Sequence, residues 1–168
     1  YCGETLVGIY SNAVSLSEAV MLFGSSLALV QYSSLSNNED DSSSKQFSWK
    51  MSKINGIFTA LALLVLCLLP SEVYSFIFGK GFEEISQAIR ILSIGVLPLS
   101  IASNFTQYFY AKGNFKISTF ASIIGLIVTI IAGLILIPKY QLQGAAFTAT
   151  LSYFTTFAIE FYFFVFRK

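Results

Sequence analysis

Histidine does not occur in these 168 residues, and cysteine occurs only twice, as Cys2 and Cys67. Without histidine no Ser–His–Asp set can be assembled, and a Cys/His metal site is excluded. Cys67 lies among Leu66, Leu68 and Leu69, which suits a small apolar side chain better than a disulfide with Cys2. Charge is also scarce: Asp, Glu, Lys and Arg make up 11%, about half the share usual in a soluble domain. The net charge of +1 offers no basic patch to neutralise phosphates, so nucleic acid is excluded as a partner. No catalytic set, metal site or cofactor is expected, and an enzyme is disfavoured. The chain opens on Tyr1 with no basic segment before a short apolar core, so no signal peptide is read here.

What the sequence has in excess is apolar length. Hydrophobic residues are 55% and the mean hydropathy is +0.70. Five stretches, 7–33, 53–78, 87–110, 117–137 and 144–166, each approach the ~20 apolar residues that cross a hydrocarbon core of ~30 Å. The expected fold class is therefore all-α, a polytopic membrane helix bundle. The absent Met and the odd number of spans predict a piece of a longer protein. Lys45, Lys50, Lys53, Lys112, Lys116, Arg167 and Lys168 fall on one side of such a bundle; Lys80, Arg90 and Lys139 fall on the other. The positive-inside rule makes the first side, with the C-terminus, cytoplasmic.

The spans differ in their polar content. In the first, Ser11, Ser15, Glu18, Leu22 and Ser25 recur at 4-3-4-3 spacing, on one helical face. Glu18 lies ~16 Å along the helix from Val7, close to the midplane. A charged carboxylate there costs about 2.5–3.5 kcal/mol and calls for water, a cationic partner or a proton. It is either a cavity-lining, proton-coupled group or a hydrogen-bonded packing residue. The third span repeats the pattern with Ser93, Ser100, Asn104 and Gln107, and holds Pro98 in its interior, which is expected to kink it or loosen its backbone. Asn104, Gln107 and Tyr108 either bind sugar or phosphate oxygens or join helices. Arg90 either snorkels or attracts an anionic headgroup.

The second span reads as apolar nearly all round and lipid-facing, interrupted by Pro70, with a turn at Gly79–Glu84. The fourth carries a small-residue seam of Ser118, Ser122, Gly125, Thr129 and Gly133. In the fifth, aromatic residues from Phe161 to Phe166 form an interfacial belt, and Glu160 is within reach of water or Lys168. Ser36–Ser44, rich in Ser, Asn and Asp, reads as a solvated, flexible connector, and Trp49 as an interface anchor behind it.

Four segments carry a family resemblance. Val7-Gly8-Ile9-Tyr10-Ser11-Asn12-Ala13 resembles a Tyr-x-x-Ala helix opening. Phe76-Ile77-Phe78-Gly79-Lys80-Gly81-Phe82, followed by Ile91-Leu92, resembles a Gly-x-x-Phe turn. Tyr110-Ala111-Lys112-Gly113-Asn114-Phe115-Lys116 resembles a short cytoplasmic turn. Ile137-Pro138-Lys139-Tyr140-Gln141-Leu142-Gln143-Gly144-Ala145-Ala146 resembles a Pro-x-Tyr-Gly-x-x-Gly-Ala-Ala helix entry, with Gln141 where glycine is usual. In order and spacing these are similar to the C-terminal half of O-antigen-type polysaccharide flippases, within the multidrug/oligosaccharidyl-lipid/polysaccharide exporter superfamily.

The resemblance implies helices eight to twelve of a two-lobed transporter in the cytoplasmic membrane, with a cytoplasmic C-terminus. It implies a polyprenyl-pyrophosphate-linked oligosaccharide as substrate, for O-antigen, lipopolysaccharide or capsule assembly, turned over by alternating access. On this reading Ser11, Ser15 and Glu18, joined by Asn104 and Gln107, line the substrate cavity, and Glu18 couples transport to a proton or cation. The cations facing a pyrophosphate are expected in the N-terminal lobe. A drug/cation antiporter of the same superfamily and a non-transporting membrane scaffold are the alternatives.

Overall fold

The computed structural model describes residues 3–38, 40–79 and 84–166. Tyr1, Cys2, Glu39, residues 80–83 (most of the stretch expected as a turn), Arg167 and Lys168 lie outside them. The described residues form six α-helices: α1 (Glu4–Ala19), α2 (Met21–Ser36), α3 (Asp41–Leu68), α4 (Ser71–Phe78), α5 (Ile85–Ala111) and α6 (Phe115–Phe166). The all-α membrane bundle read from the sequence is the fold observed. α3, α5 and α6 are each long and apolar enough to cross a membrane, and α1 with α2 qualifies as one bent pair.

α5 is the centre, touching α1, α2, α3, α4 and α6. Ile85, Ala88, Ile89, Leu92 and Val96 are all fully buried along it. It runs unbroken through the buried Pro98. Small residues let its neighbours close in: a Cβ on Gly95 would stand 2.7 Å from Thr150 Cα.

The stretch expected as one span at 7–33 is two helices, bent by 42° at Val20. Each half has its own partners: α1 lies on α5 and α6, whereas α2 lies on α3 and α5. The segment 53–78 is likewise divided. Pro70, with extended ψ, separates α3 from α4, and Tyr74 reaches back from α4 to donate to the Leu66 carbonyl (2.6 Å). Gly79 closes α4 at φ 99°, a conformation glycine adopts without strain.

α6 is a helical hairpin. At Gln141 the backbone turns to φ 46°, ψ −117°. Arms 115–140 and 142–166 then run antiparallel, with Gly125 against Ser152 and Thr156, and Gly133 near Thr148. Ser152 donates to the Gly125 carbonyl across the seam (2.9 Å). The two arms correspond to the stretches expected at 117–137 and 144–166.

The described residues of Ser36–Ser44 are not the flexible connector expected. α2 continues to Ser36 and α3 starts at Asp41, a full three turns before the expected 53. Local chemistry nucleates α3: the Asp40 carboxylate accepts from the N–H groups of Ser42 and Ser43 (3.1 Å each), and Asn38 Oδ1 accepts from Asp40 N–H (3.0 Å). Tyr108 on α5 donates to Asp41 (2.9 Å), and Lys112 donates to the Asn38 carbonyl (2.9 Å).

Candidate functional site

The bend at Val20 sets the geometry of the polar face. Ser11, Ser15, Leu22 and Ser25 stay exposed along both halves of the bent pair. Glu18 turns partly inward, where the Tyr153 hydroxyl from α6 donates to its Oε1. Tyr10, two turns earlier, donates to the Ala145 carbonyl (3.5 Å). Both tyrosines tie α1 to the second arm of α6. The face beside them remains uncovered by any described residue of this chain.

Just past the bend, Met21 forms one wall of a polar crevice of about 280 Å³. Gln107, Ser103 and Tyr110 of α5 supply the floor, and Ser118 and Ser122 of the first arm of α6 supply the far side. Glu160, from the second arm, closes it. This carboxylate is 2% exposed, and Thr106 bonds its two oxygens at 2.8 and 2.9 Å. Ser118, also buried, stands beside it. The crevice is thus a concavity between helices, lined by hydroxyl, amide and carboxylate groups together with Met21, Leu99 and Ala102, and with no Lys or Arg among the described residues that line it.

Ser11, Ser15 and Glu18 therefore share one face, and Gln107 lies in the crevice at its bend. Asn104 is separated from them. It is fully buried on the other side of α5, where its amide donates to the Ser100 carbonyl (3.3 Å) and its own carbonyl accepts from Gln31 (2.9 Å). Residues three apart share a broad helical face, but here neighbouring α2 packs over the Asn104 edge of it, whereas the Gln107 edge opens into the crevice. Of the two residues expected to line one cavity, the described residues place Gln107 in the crevice and Asn104 outside it.

Two features escaped the sequence reading. Glu160, set aside there as reaching water or Lys168, is the most enclosed carboxylate among the described residues. Its signal is the hydroxyls of Thr106 and Ser118, which only the hairpin of α6 brings to it. The second is a buried polar ladder on α3, the span read as apolar all round: Ser44, Ser48, Ser52, Asn55 and Thr59 are all buried. Gln31 donates to Ser48 Oγ (3.0 Å), and Asn55 donates to the Ser100 carbonyl (2.7 Å). Their four-residue recurrence was visible, but half of it fell in the supposed loop. The opposite side of α3, with Ile57, Leu61, Val65 and Leu68, is exposed as expected of a lipid-facing surface.

Apolar helices with outward aliphatic faces, joined by buried polar ladders and enclosing a polar crevice, define a multi-pass membrane protein. Within that class, the chain belongs to the lipid II flippase MurJ family, which it matches over residues 4–168. It is similar to the capsular polysaccharide biosynthesis protein CapF of Staphylococcus aureus, 30% identical over 165 residues, 96% of this chain and 42% of CapF. It is also similar to two membrane proteins of Methanocaldococcus jannaschii. MJ1068 is 31% identical over 64% of this chain and 21% of its own length, and MJ1375 is 24% identical over 90% and 36%. The chain thus spans less than half of each of these relatives. No solved structure matches it. The flippase-type resemblance of the four sequence segments agrees with this family.

Proposed function

We propose that this chain is the C-terminal lobe of a transporter that turns a polyprenyl-pyrophosphate-linked oligosaccharide, a unit of capsule, O-antigen or a related polysaccharide, across the cytoplasmic membrane. The observation that carries the reading is the uncovered polar face of the bent α1–α2 pair, Ser11, Ser15 and Glu18, leading at Met21 into the crevice that holds Gln107. A polar face at membrane depth is costly against lipid, so it suits a wetted cavity shared with a second lobe. Membership of the MurJ family and similarity to a capsule biosynthesis protein support the substrate class. Alternating access would then rock this lobe about the cavity, with the excess of Lys and Arg on the cytoplasmic side.

In this mechanism hydroxyl and amide groups of the face hold sugar and phosphate oxygens by hydrogen bonds. The pyrophosphate needs cations from the other lobe, because the described residues of the crevice and the polar face include none. Glu18 is the group through which a proton or cation would couple to the bend. In the full-length protein, Glu18→Gln is expected to abolish most surface-polysaccharide export at unchanged expression, and cysteines at 11 and 15 to react with aqueous thiol reagents. Normal export together with unreactive cysteines would refute the cavity role.

One observation favours a second reading, a drug/cation antiporter: Glu18 and Glu160 are both carboxylates without a basic partner at hydrogen-bond distance among the described residues. Such a site attracts an organic cation. Binding of a lipophilic cation that Glu18→Gln abolishes, with polysaccharide export unaffected, would select it. A non-transporting scaffold predicts that both the face and the crevice are filled by neighbouring helices, which the same thiol accessibility measures.

A further inference from the structure

Away from the polar face, the opposite side of the bundle carries two adjoining cavities that share Trp49. One, about 340 Å³, lies between the start of α3 and the end of α6 and includes Ser42, Lys45 and Gln46 with Phe164. The other, about 360 Å³, continues down α3 past Lys53 and Gly56 to Ile101, Phe105 and Phe157, and its exposed wall is apolar. Lys45, Trp49 and Lys53 recur every four residues, so one face of α3 presents a cation, an indole and a cation in succession.

The two ammonium groups lie against aromatic rings: Lys45 Nζ is 5.5 Å from the Phe164 ring centre and Lys53 Nζ is 5.6 Å from that of Trp49. Neither cavity has a carboxylate among the described residues that line it. The order along α3 is that of a lipid molecule. Ser42, Lys45 and Gln46 stand two to three turns before the apolar run of α3, at headgroup level; Trp49 follows at the interface, and the slot continues from Lys53 along the apolar run. Gly56 keeps the slot open towards Ile101, because a Cβ there would come within 3.2 Å of the Ile101 side chain.

We propose that this groove is a specific site for an anionic phospholipid, with the phosphate held between Lys45 and Lys53 beside Trp49 and one acyl chain in the slot against Phe105 and Phe157. Charge complementarity selects the occupant: two cations with no carboxylate among the described lining residues, above a slot whose exposed wall is apolar, suit an anionic lipid better than a zwitterionic one. The site is separate from the polar face and does not depend on what that face transports.

Trp49 is the single tryptophan of this chain and reports on the groove directly. The full-length protein, keeping Trp49 as its sole tryptophan, is reconstituted in phosphatidylcholine vesicles containing either dibrominated phosphatidylglycerol or dibrominated phosphatidylcholine at matched fractions. Brominated phosphatidylglycerol is expected to quench Trp49 at much lower mole fraction, by about fivefold for each lysine. Lys45→Gln with Lys53→Gln should remove that preference and Lys45→Arg with Lys53→Arg should keep it. Lys50→Gln, a neighbouring charge outside both cavities, should leave it unchanged. Equal quenching by the two lipids in the unsubstituted protein overturns the proposal. So does absence of quenching by either, which would mean another segment of the protein fills the groove, and so does a preference that survives the double Gln variant or falls equally in Lys50→Gln.

Discussion

The Tyr153 hydroxyl, on the second arm of α6, donates to the Glu18 carboxylate two residues before the α1–α2 bend at Val20. This bond joins the only described carboxylate on the polar face to a helix more than a hundred residues away in sequence. Removing the donor leaves a half-buried carboxylate with one fewer partner. Tyr153→Phe is therefore expected to lower stability by about 1–3 kcal/mol, read as a reduced thermal midpoint of the full-length protein. Glu18→Gln keeps an acceptor for the hydroxyl and should cost less. An unchanged midpoint in Tyr153→Phe would mean that the bond contributes nothing to holding α1 on α6.

The glycines of α5 and α6 differ in what surrounds them, and the difference is testable. At Gly95 an added Cβ meets the backbone of Thr150, which cannot move aside, whereas at Gly133 the nearest atoms stand at 3.6 and 3.7 Å, ordinary contact. Gly95→Ala should force α5 and α6 apart at a cost of about 1–3 kcal/mol. Gly133→Ala should be neutral or slightly stabilising through its helix propensity. Thermal denaturation of both variants side by side checks this, and equal effects would contradict the packing described.

Gln141 adopts φ 46°, the one positive φ among the described non-glycine residues. It occupies the place where the resembling motif has glycine, so the turn keeps the glycine conformation without the glycine. Such backbone strain typically costs on the order of 1–3 kcal/mol. Gln141→Gly is expected to recover about 1 kcal/mol and raise the thermal midpoint, while Gln141→Val should lower it. A destabilising Gln141→Gly would show that the turn carries no strain.

The Asp40 carboxyl is held below the usual carboxylate range, first by its hydrogen bond with the Ser43 side chain, then by the N–H groups of Ser43 and Ser42, and more weakly by Lys112. Its folded value lies below its unfolded one. The ionised cap therefore stabilises α3 fully above the ordinary Asp value near 4 and loses that contribution as the pH falls through the lower folded value. Amide exchange at Ser42 and Ser43 should accelerate relative to mid-helix amides in that acid window, and Asp40→Asn should flatten the dependence. A cap insensitive to pH in the unsubstituted protein would contradict this account.

Much of the fold was legible in particular residues. Pro70 marked the α3–α4 break, Gly125 marked the hairpin seam, and the apolar runs marked the helices. The 4-3-4-3 recurrence of Ser11, Ser15 and Glu18 gave a face that survives the bend. Where the reading failed, composition had concealed pairing. Ser42 and Ser43 look like linker residues until Asp40 is seen to cap them, and Ser48 and Asn55 look like minor polar interruptions until Gln31 and the Ser100 carbonyl are found opposite. Asn104 and Gln107 looked equivalent because helical periodicity gives a bearing but not the neighbour that stands there.

The sequence by itself determined the membrane, the helical class and the resemblance to flippases, since these follow from apolar length, sparse charge and ordered short motifs within single segments. The tertiary structure decided which polar groups are spent on holding helices together and which remain open. It paired Glu18 with Tyr153, enclosed Glu160 between Thr106 and Ser118, buried Asn104, and left Ser11, Ser15 and the Lys45–Lys53 groove uncovered. The physical reason is that a polar side chain at membrane depth must be satisfied by something, and its partner lies on a different helix, at a distance along the chain that no local pattern encodes.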